Sequence, residues 1–281
     1  MESATDLRGP WVVVGAGRVG RTIALLADRL GVEVSATWNR TSTAADRTAE
    51  LVEADACAFG RLPASVREPL SDAGVVWLTV ADEAVEDVAD ELSGSIDSGS
   101  ILLHTCGSMG SEVLGRAGFR AAVGTLHPLL AISDPEIAVD ALGDAVWTVE
   151  GESEAVGFSR RLIGAIGGEV YRLPEGARPL YHAAAVTAAN LLVGVVDAAI
   201  EMAERAGLDR TQAREMLLAL AESALANVRD HGTEDALTGP VARGDRATVQ
   251  RHRRALQERA EGHGLLELYD VLTDWVDESL A

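Results

Sequence analysis

The stretch Val12-Val13-Val14-Gly15-Ala16-Gly17-Arg18-Val19-Gly20 constrains the fold of this chain more tightly than any other. A β-branched apolar run leads into three glycines spaced G-x-G-x-x-G, and an apolar helical pattern follows through Ile23, Leu25, Leu26 and Leu30. Strand, glycine turn and helix in that order are the context that dinucleotide binding requires. In that geometry Gly15 makes the tight turn, Gly17 lets the backbone approach a pyrophosphate, and Gly20 lets helix and strand pack closely. The free N–H groups and positive dipole end of the helix face the phosphates, with Ala16, Arg18 and Val19 completing the cradle. The spacing alone also fits an ordinary βα turn; the flanking strand and helix favour the dinucleotide.

The remainder of the chain sets bounds on what such a turn serves. With 281 residues there is enough chain for a sizeable core, most simply in two domains. The net charge of −20 argues against nucleic acid and anionic membrane as partners, because both require clustered positive charge. All 24 basic residues are arginines, so no lysine is available as a general acid or Schiff-base former. Cys57 and Cys106 make neither a disulfide framework nor a metal signature, which fits a reducing cytoplasm. The polar, acidic start Met1-Glu2-Ser3-Ala4-Thr5-Asp6 is unlike a secretory signal. No metal site is expected.

A second strand over residues 32–38 delivers Asn39-Arg40-Thr41-Ser42 about 20 residues beyond the fingerprint, where an acidic residue holds an NAD ribose. There is no acid here. The planar fork of Arg40 matches a 2′-phosphate, and Thr41 offers a hydroxyl, so NADP(H) is the expected cofactor. A solvated surface arginine is the alternative. The apolar run 75–80 reads as a buried strand whose end, Thr79, Val80, Ala81 and Asp82, lines the cofactor crevice; Asp82 fits a helix N-cap or a first-turn acid equally well.

Further strands are expected over 99–104, 121–129, 145–149 and 169–173. The first exits into Thr105-Cys106-Gly107-Ser108, which places Ser108 at the crevice. The second carries His127, held extended by Pro128. Both His127 and His104 stand at carboxyl ends of strands, where crevices form, and each is open to a purely structural reading. After Pro174-Glu175-Gly176 the pattern becomes helical. The expected architecture is therefore α/β: a doubly wound, parallel Rossmann sheet over residues 1–173 and an all-helical domain over 174–281.

Residues 180–206 form the first long helix of that domain, apolar nearly all round until Glu201. Its composition resembles a membrane span, yet Asn190 and Asp197 favour a buried core helix. About 108 residues can barely bury such a helix alone, so a homodimer packed through these helices is expected. On it, His182, Val186 and Asn190 share a face at i, i+4, i+8 spacing, beside Tyr181 and Thr187. These polar groups either satisfy each other or face a wet cleft between the domains. In the turn 236–245, Asp245 reads as a helix cap, and Arg243 either pairs with it or reaches a substrate carboxylate.

These stretches together resemble one family. Gly15-Ala16-Gly17-Arg18-Val19-Gly20, Leu126-His127-Pro128-Leu129, Tyr181-His182-Ala183-Ala184-Ala185-Val186 with Ala188 and Asn190, and Ala236-Leu237-Thr238-Gly239-Pro240-Val241 with Arg243-Gly244-Asp245 are similar to Rossmann-like oxidoreductases whose C-terminal helical domain has no known function. That family is related to pyrroline-5-carboxylate reductase, prephenate dehydrogenase, deazaflavin-dependent NADP reductases and 3-hydroxyisobutyrate dehydrogenase. The resemblance implies an N-terminal NADP domain, a helical dimerisation domain and an active site between them. One departure matters. Where β-hydroxyacid dehydrogenases carry a lysine four residues before an asparagine, this chain has Val186 before Asn190. The same lack argues against a standard ketopantoate reductase.

The expected function is hydride transfer between NADPH and a small carbonyl or imine substrate, with the nicotinamide near Ser108 and His127. Histidine is the side chain whose ordinary pKa suits proton transfer near neutrality. His182 is the expected proton donor, Asn190 the group orienting substrate, and His127 the second candidate. The alternative is an NADP(H)-binding sensor or regulatory dimer without turnover, which the missing lysine supports.

Overall fold

A computed structural model describes residues 7–39, 41–58, 64–259 and 264–280. They divide into two compact units between Ala185 and Val186.

The first unit is built on one sheet. Strands β1 (Trp11–Val14), β2 (Val34–Asn39), β3 (Asp55–Ala58), β4 (Val75–Leu78), β5 (Ile101–His104), β6 (Ala122–Leu129), β7 (Val146–Gly151) and β8 (Glu169–Arg172) stand in the order β3-β2-β1-β4-β5-β6-β7-β8. The helices between them are α1 (Arg18–Arg29), α2 (Ser42–Val52), α3 (Ala64–Asp72), α4 (Val85–Leu92), α5 (Glu112–Gly115), α6 (Pro135–Ala141) and α7 (Ser153–Ala165); α8 (Arg178–Val186) follows β8. The strand order reverses between β1 and β4. In open α/β sheets a ligand binds outside the carboxyl ends of the strands at such a switch point.

Alternation along the central strands builds the two faces. Trp11 and Val13 of β1 and Val75 and Trp77 of β4 join Ile23, Leu26 and Phe158 in one core layer. Val12, Val14, Val76 and Leu78 join Leu70, Val88 and Leu92 in the other. Strands covered on both faces read as unbroken apolar runs, which is why β1 and β4 show no polar alternation. Trp11 anchors the first layer. Its ring lies 5.3 Å from that of Trp77 and 6.3 Å, edge-on, from that of Phe158, and its indole N–H reaches the carbonyls of Leu7 and Arg8.

One pairing departs from the expected parallel sheet: β7 runs antiparallel to β6. The connection carries only the short α6, which packs on α1, and the chain then returns alongside β6. The register sets His127 directly opposite Thr148. Residues opposite each other in an antiparallel pair project to the same face.

The second unit is helical. A π-helical turn over Thr187–Leu191 leads into α9 (Leu192–Arg205), followed by α10 (Arg210–Ala236), α11 (Gly239–Ala242), α12 (Arg246–Arg259) and α13 (Leu265–Ser279). Asp209 caps α10 by accepting from the N–H groups of Thr211 and Gln212. Asp245 caps α12 by accepting from the Thr248 N–H at 3.0 Å, as expected of it. At Gly232, with φ +81°, α10 breaks.

The long apolar helix is little covered by its own chain. Among the described residues of this unit, the buried apolar side chains are Ile200, Ala213, Val249 and Leu265. Leu191, Val193, Leu220 and Trp275 are each more than half exposed. The helical stretch Arg178–Arg205 is long and apolar enough to cross a membrane by composition, and little of it is covered within the chain. The reason is arithmetic of surface: so small a helical unit has too few neighbours to enclose one of its own members.

Close packing of α1 against β1 rests on Gly20. A Cβ there would overlap the Gly15 carbonyl oxygen and lie 2.6 Å from the Thr79 hydroxyl. Gly20→Ala is therefore expected to lower stability by about 1–3 kcal/mol, the usual range for overpacking, as read by urea denaturation.

Candidate functional site

Two groups of residues meet at the carboxyl edge of the sheet in the first unit. The first is the turn after β1. Gly15 holds φ +104°, a left-handed conformation that favours glycine, and a Cβ there would lie 2.6 Å from the backbone of Thr79 and Val80. The Thr79 hydroxyl lies 2.5 Å from the Gly15 carbonyl oxygen and 3.1 Å from that of Val14, tying the turn to the end of β4. Thr79 is thus a structural partner of the turn.

Helix α1 begins after Gly17 with no side-chain cap and no acid in its first turn. Its first turn of amides, at Arg18, Val19 and Gly20, precedes the first α-helical bond, which Arg21 makes to the Gly17 carbonyl. Gly17 is exposed, and a Cβ there would meet nothing within 4 Å. The turn therefore presents bare backbone and a positive helix end to open space. A cleft of about 460 Å³ lies beside it, lined by Gly15, Gly17, Asn39, Thr79, Val80 and Ala81 among others. Glu83, Asp87 and Glu91 also line the cleft, so the group beside it that favours an anion is the positive end of α1. These residues fit a dinucleotide: the donors are free, the approach is clear, and the glycines stand where side chains would obstruct.

Of the residues expected to hold the cofactor, Gly15, Gly17, Asn39, Val80 and Ala81 line this cleft, and Arg18, Val19 and Gly20 form the helix's first turn. Ala16 is buried beneath the turn. Thr41 is the residue before α2 and makes no side-chain cap. Arg40 lies outside the described residues. Ser108 donates to the Asp82 carboxylate at 3.0 Å and meets the Cys106 sulfur at 3.2 Å. Asp82 is a first-turn acid of a 3₁₀ turn rather than its cap, and its carboxylate holds Ser108.

The second group is built around histidine. Helix α8 places Arg178, Tyr181 and His182 at i, i+3 and i+4, on one face. His127 on β6 meets that face. Its Nδ1 lies 3.1 Å from the Tyr181 hydroxyl, whose oxygen also accepts from the Thr148 hydroxyl at 3.1 Å. The His127 ring stands edge-on to those of Tyr181 and His182, with centroids 5.9 Å and 5.8 Å apart. Gly107 lies beneath the two imidazoles. A Cβ on it would overlap His182 Nδ1 and lie 2.8 Å from His127 Nε2. His182 Nδ1 is buried and has no hydrogen-bond partner among the described residues. Two ring nitrogens thus converge over one backbone position.

Burial, then the charge of Arg178, pushes the His127 pKa down to about 4, so its imidazole is neutral at pH 7. Arg178 is itself enclosed. Its Nε lies 3.3 Å from the Glu150 carboxylate and its Nη1 donates to the Cys106 carbonyl at 3.4 Å. Burial of Tyr181 raises its phenol pKa, so it stays protonated near neutrality. Burial likewise raises the Cys106 thiol, leaving it protonated and a poor nucleophile.

The structural reading holds for His104. It is fully buried, accepts from the Cys106 N–H at 3.2 Å through Nδ1, and donates from Nε2 to the Gly110 carbonyl at 3.1 Å. Burial lowers its pKa to about 4. Asn190, expected beside His182, lies in the second unit, exposed on the π-helical turn. The structure thus brings His127 and His182 together and adds Thr148, Tyr181 and Gly107. The i, i+3, i+4 spacing of Arg178, Tyr181 and His182 was visible in the sequence. The contribution of Thr148 was not, because it depends on the antiparallel register of β7.

His104 and His127 have depressed native pKa values, so between about pH 6.5 and 4 the unfolded chain binds protons that the native state refuses. Native stability is fully present above pH 6.5 and is lost as pH falls through that window. Denaturation at pH 7 and pH 5 is expected to show this loss, with a shallower dependence in His104→Gln, which is also less stable at pH 7.

Residues 2–128 match a Rossmann-like domain, and residues 145–275 match a domain of unknown function, DUF2520. No curated protein matches the chain. Among solved structures, a provisionally assigned NADP oxidoreductase from Bacteroides fragilis superposes with a TM-score of 0.78 at 22% identity, covering 98% of this chain and 100% of that one. A pyrroline carboxylate reductase from Plasmodium falciparum with NADP bound gives 0.61 at 11% identity, covering 96% and 98%. A reductive aminase from Aspergillus terreus in complex with NADPH gives 0.65 at 18% identity, covering 97% and 95%. These likenesses are of fold. The chain joins a Rossmann-like domain to a DUF2520 domain.

Proposed function

We propose that this protein is an NADP(H)-dependent oxidoreductase acting on a small carbonyl or imine substrate. The observation that carries the reading is the glycine turn: a left-handed Gly15, an uncapped α1, and a Gly17 whose missing side chain leaves open space beside the cleft. The solved structures of similar fold that hold NADP or NADPH support it. The amides of Arg18, Val19 and Gly20 would hold the pyrophosphate, and Asn39, Arg40 and Thr41 would hold the ribose 2′-phosphate. When bound, NADPH supplies the hydride. The chain supplies the rest: Ser108, Gly107 and His127 frame the reacting end of the same sheet edge, and His182 provides the proton. A protein that binds NADP(H) without turnover is the second reading, favoured by the absence of any lysine.

A homodimer through the C-terminal helices belongs to the same proposal. Leu191, Val193, Leu220 and Trp275 lie exposed on several helices, so a membrane crossing by one helix would leave the others bare. A second copy covers them all at once. Sedimentation is expected to give twice the 29.5 kDa chain mass without detergent; a concentration-independent monomer would contradict this.

Titration with NADPH and NADH, read by nucleotide fluorescence, tests the cofactor. Tight NADPH and weak NADH binding is expected, and Arg40→Ala should erase the difference. Gly17→Ala, which meets no steric conflict, should weaken NADPH binding tenfold or more while leaving the denaturation midpoint nearly unchanged. Binding of neither nucleotide would refute the reading. His182→Ala retaining full turnover on a reduced substrate would remove its role as proton donor.

A further inference from the structure

We propose that Asp82, held by a hydrogen-bond chain from Cys106 through Ser108, sets its carboxylate beside the nicotinamide half of the dinucleotide and favours the oxidised, positively charged form. This rests on the reading of the protein as an NADP(H) oxidoreductase and deepens it: the site is poised to give up hydride, so its substrates are ones to be reduced.

The strand order fixes which half of the dinucleotide meets Asp82. A pyrophosphate on the turn after β1 lies at the switch point, and the adenosine ribose then lies at the end of β2. The sheet runs β2-β1-β4-β5, so the other half extends over the ends of β4 and β5. Leu78 and His104 pair at those ends, and Asp82 and Ser108 stand in the segments that follow. The donation from Ser108 to the Asp82 carboxylate at 3.0 Å ties the two segments together.

Ser108 is itself fixed from below. Its one hydrogen goes to Asp82, so its oxygen accepts from the protonated Cys106 thiol, 3.2 Å away. Both backbone groups of Cys106 are pinned: its N–H donates to His104 Nδ1 at 3.2 Å, and its carbonyl accepts from Arg178 Nη1 at 3.4 Å. His104 also donates to the Gly110 carbonyl at 3.1 Å, so one buried imidazole closes the loop 106–110. A chain of dipoles therefore runs from a buried thiol to an exposed carboxylate.

The nicotinamide ring is neutral in NADPH and carries one positive charge in NADP⁺, so a fixed carboxylate beside it separates the two forms. Asp82 makes no ion pair among the described residues. Arg178, the cation of the histidine group, is paired with Glu150 at 3.3 Å. The reach of the Asp82 charge shows at His127: burial, Arg178 and His182 lower the pKa of that imidazole, and Asp82 works against them. Glu83, Asp87 and Glu91 differ from Asp82 in place. They line the cleft together with Asn39 from the end of β2, toward the adenosine half, where the two forms carry the same phosphates. On transfer, hydride takes its electron pair to the substrate carbon, and the pair displaced from C=O or C=N takes a proton. The ring keeps the positive charge that Asp82 stabilises.

Calorimetric titrations of the full chain with NADP⁺ and with NADPH test this without any turnover. Asp82→Asn keeps an acceptor for Ser108 and removes the charge at an exposed position. It is expected to raise the NADP⁺ dissociation constant about fivefold, the effect of one partly screened charge, and to leave that for NADPH within about twofold. In the wild type, raising salt to about 1 M should shift the ratio of the two constants the same way, because the charge is screened. Ser108→Ala, which releases the carboxylate, should lose part of the preference. Glu83→Gln should tighten both forms by the same factor.

Three results overturn the inference alone: both forms bound by Asp82→Asn as by the wild type, both weakened by one factor, or a ratio shifted as far by Glu83→Gln as by Asp82→Asn. Each of them requires a dinucleotide to bind, so the oxidoreductase reading survives it. Binding of neither NADP⁺ nor NADPH to the wild type refutes that reading, and the inference falls with it.

Discussion

Everything at the carboxyl edge of this sheet depends on how closely α1 sits on the end of β1. Gly20 backs onto the Gly15 carbonyl, and the Thr79 hydroxyl holds that same carbonyl from β4. A side chain at Gly20 would push the helix off the turn, and one at Gly15 would collide with the backbone of Thr79 and Val80. The tight contact is affordable because the strands beneath it are locked from both faces, with Trp11 and Trp77 in one layer and Val14 and Leu78 in the other. The helix end is therefore positioned by the core, and the bare amides it presents to the cleft follow from packing.

The second constraint is the reversal at β7. A wholly parallel sheet would have carried the chain away from β6. The antiparallel return instead sets Thr148 opposite His127, and α8 lays Tyr181 against both. A hydroxyl chain anchored on the neighbouring strand thus meets one nitrogen of His127, and the other lies close to Gly107. Arg178 and Glu150 are enclosed beside this group as an ion pair. Removing either partner would leave an uncompensated buried charge, so that pair holds the base of α8 in place.

Much of this was legible in the residues. The fingerprint, its strand and its helix announced the first βα unit, and the continuous apolar run at Val75 announced β4, because strands covered on both faces carry no alternation. His127 and His182 stood out as polar groups in apolar surroundings. Two things were not legible. The direction of β7 depends on a connection whose path periodicity does not reveal, so Thr148 was passed over. Asp82 fitted a cap or a first-turn acid by position, and only the fold shows that its carboxylate meets Ser108. In each case local pattern was sound and the missing information was a long-range pairing.

The central claim is that the glycine turn and the imidazole pair are parts of one dinucleotide-dependent site. Amide chemical-shift mapping of isotopically labelled protein, titrated with NADPH, tests it most directly. The account predicts the largest shifts at Gly15 to Gly20 and at Thr79 to Ala81, with a second group at Gly107, Ser108 and His127. Saturation with NADPH that leaves the turn unshifted, or that moves the turn and leaves Gly107 to His127 untouched, would contradict it.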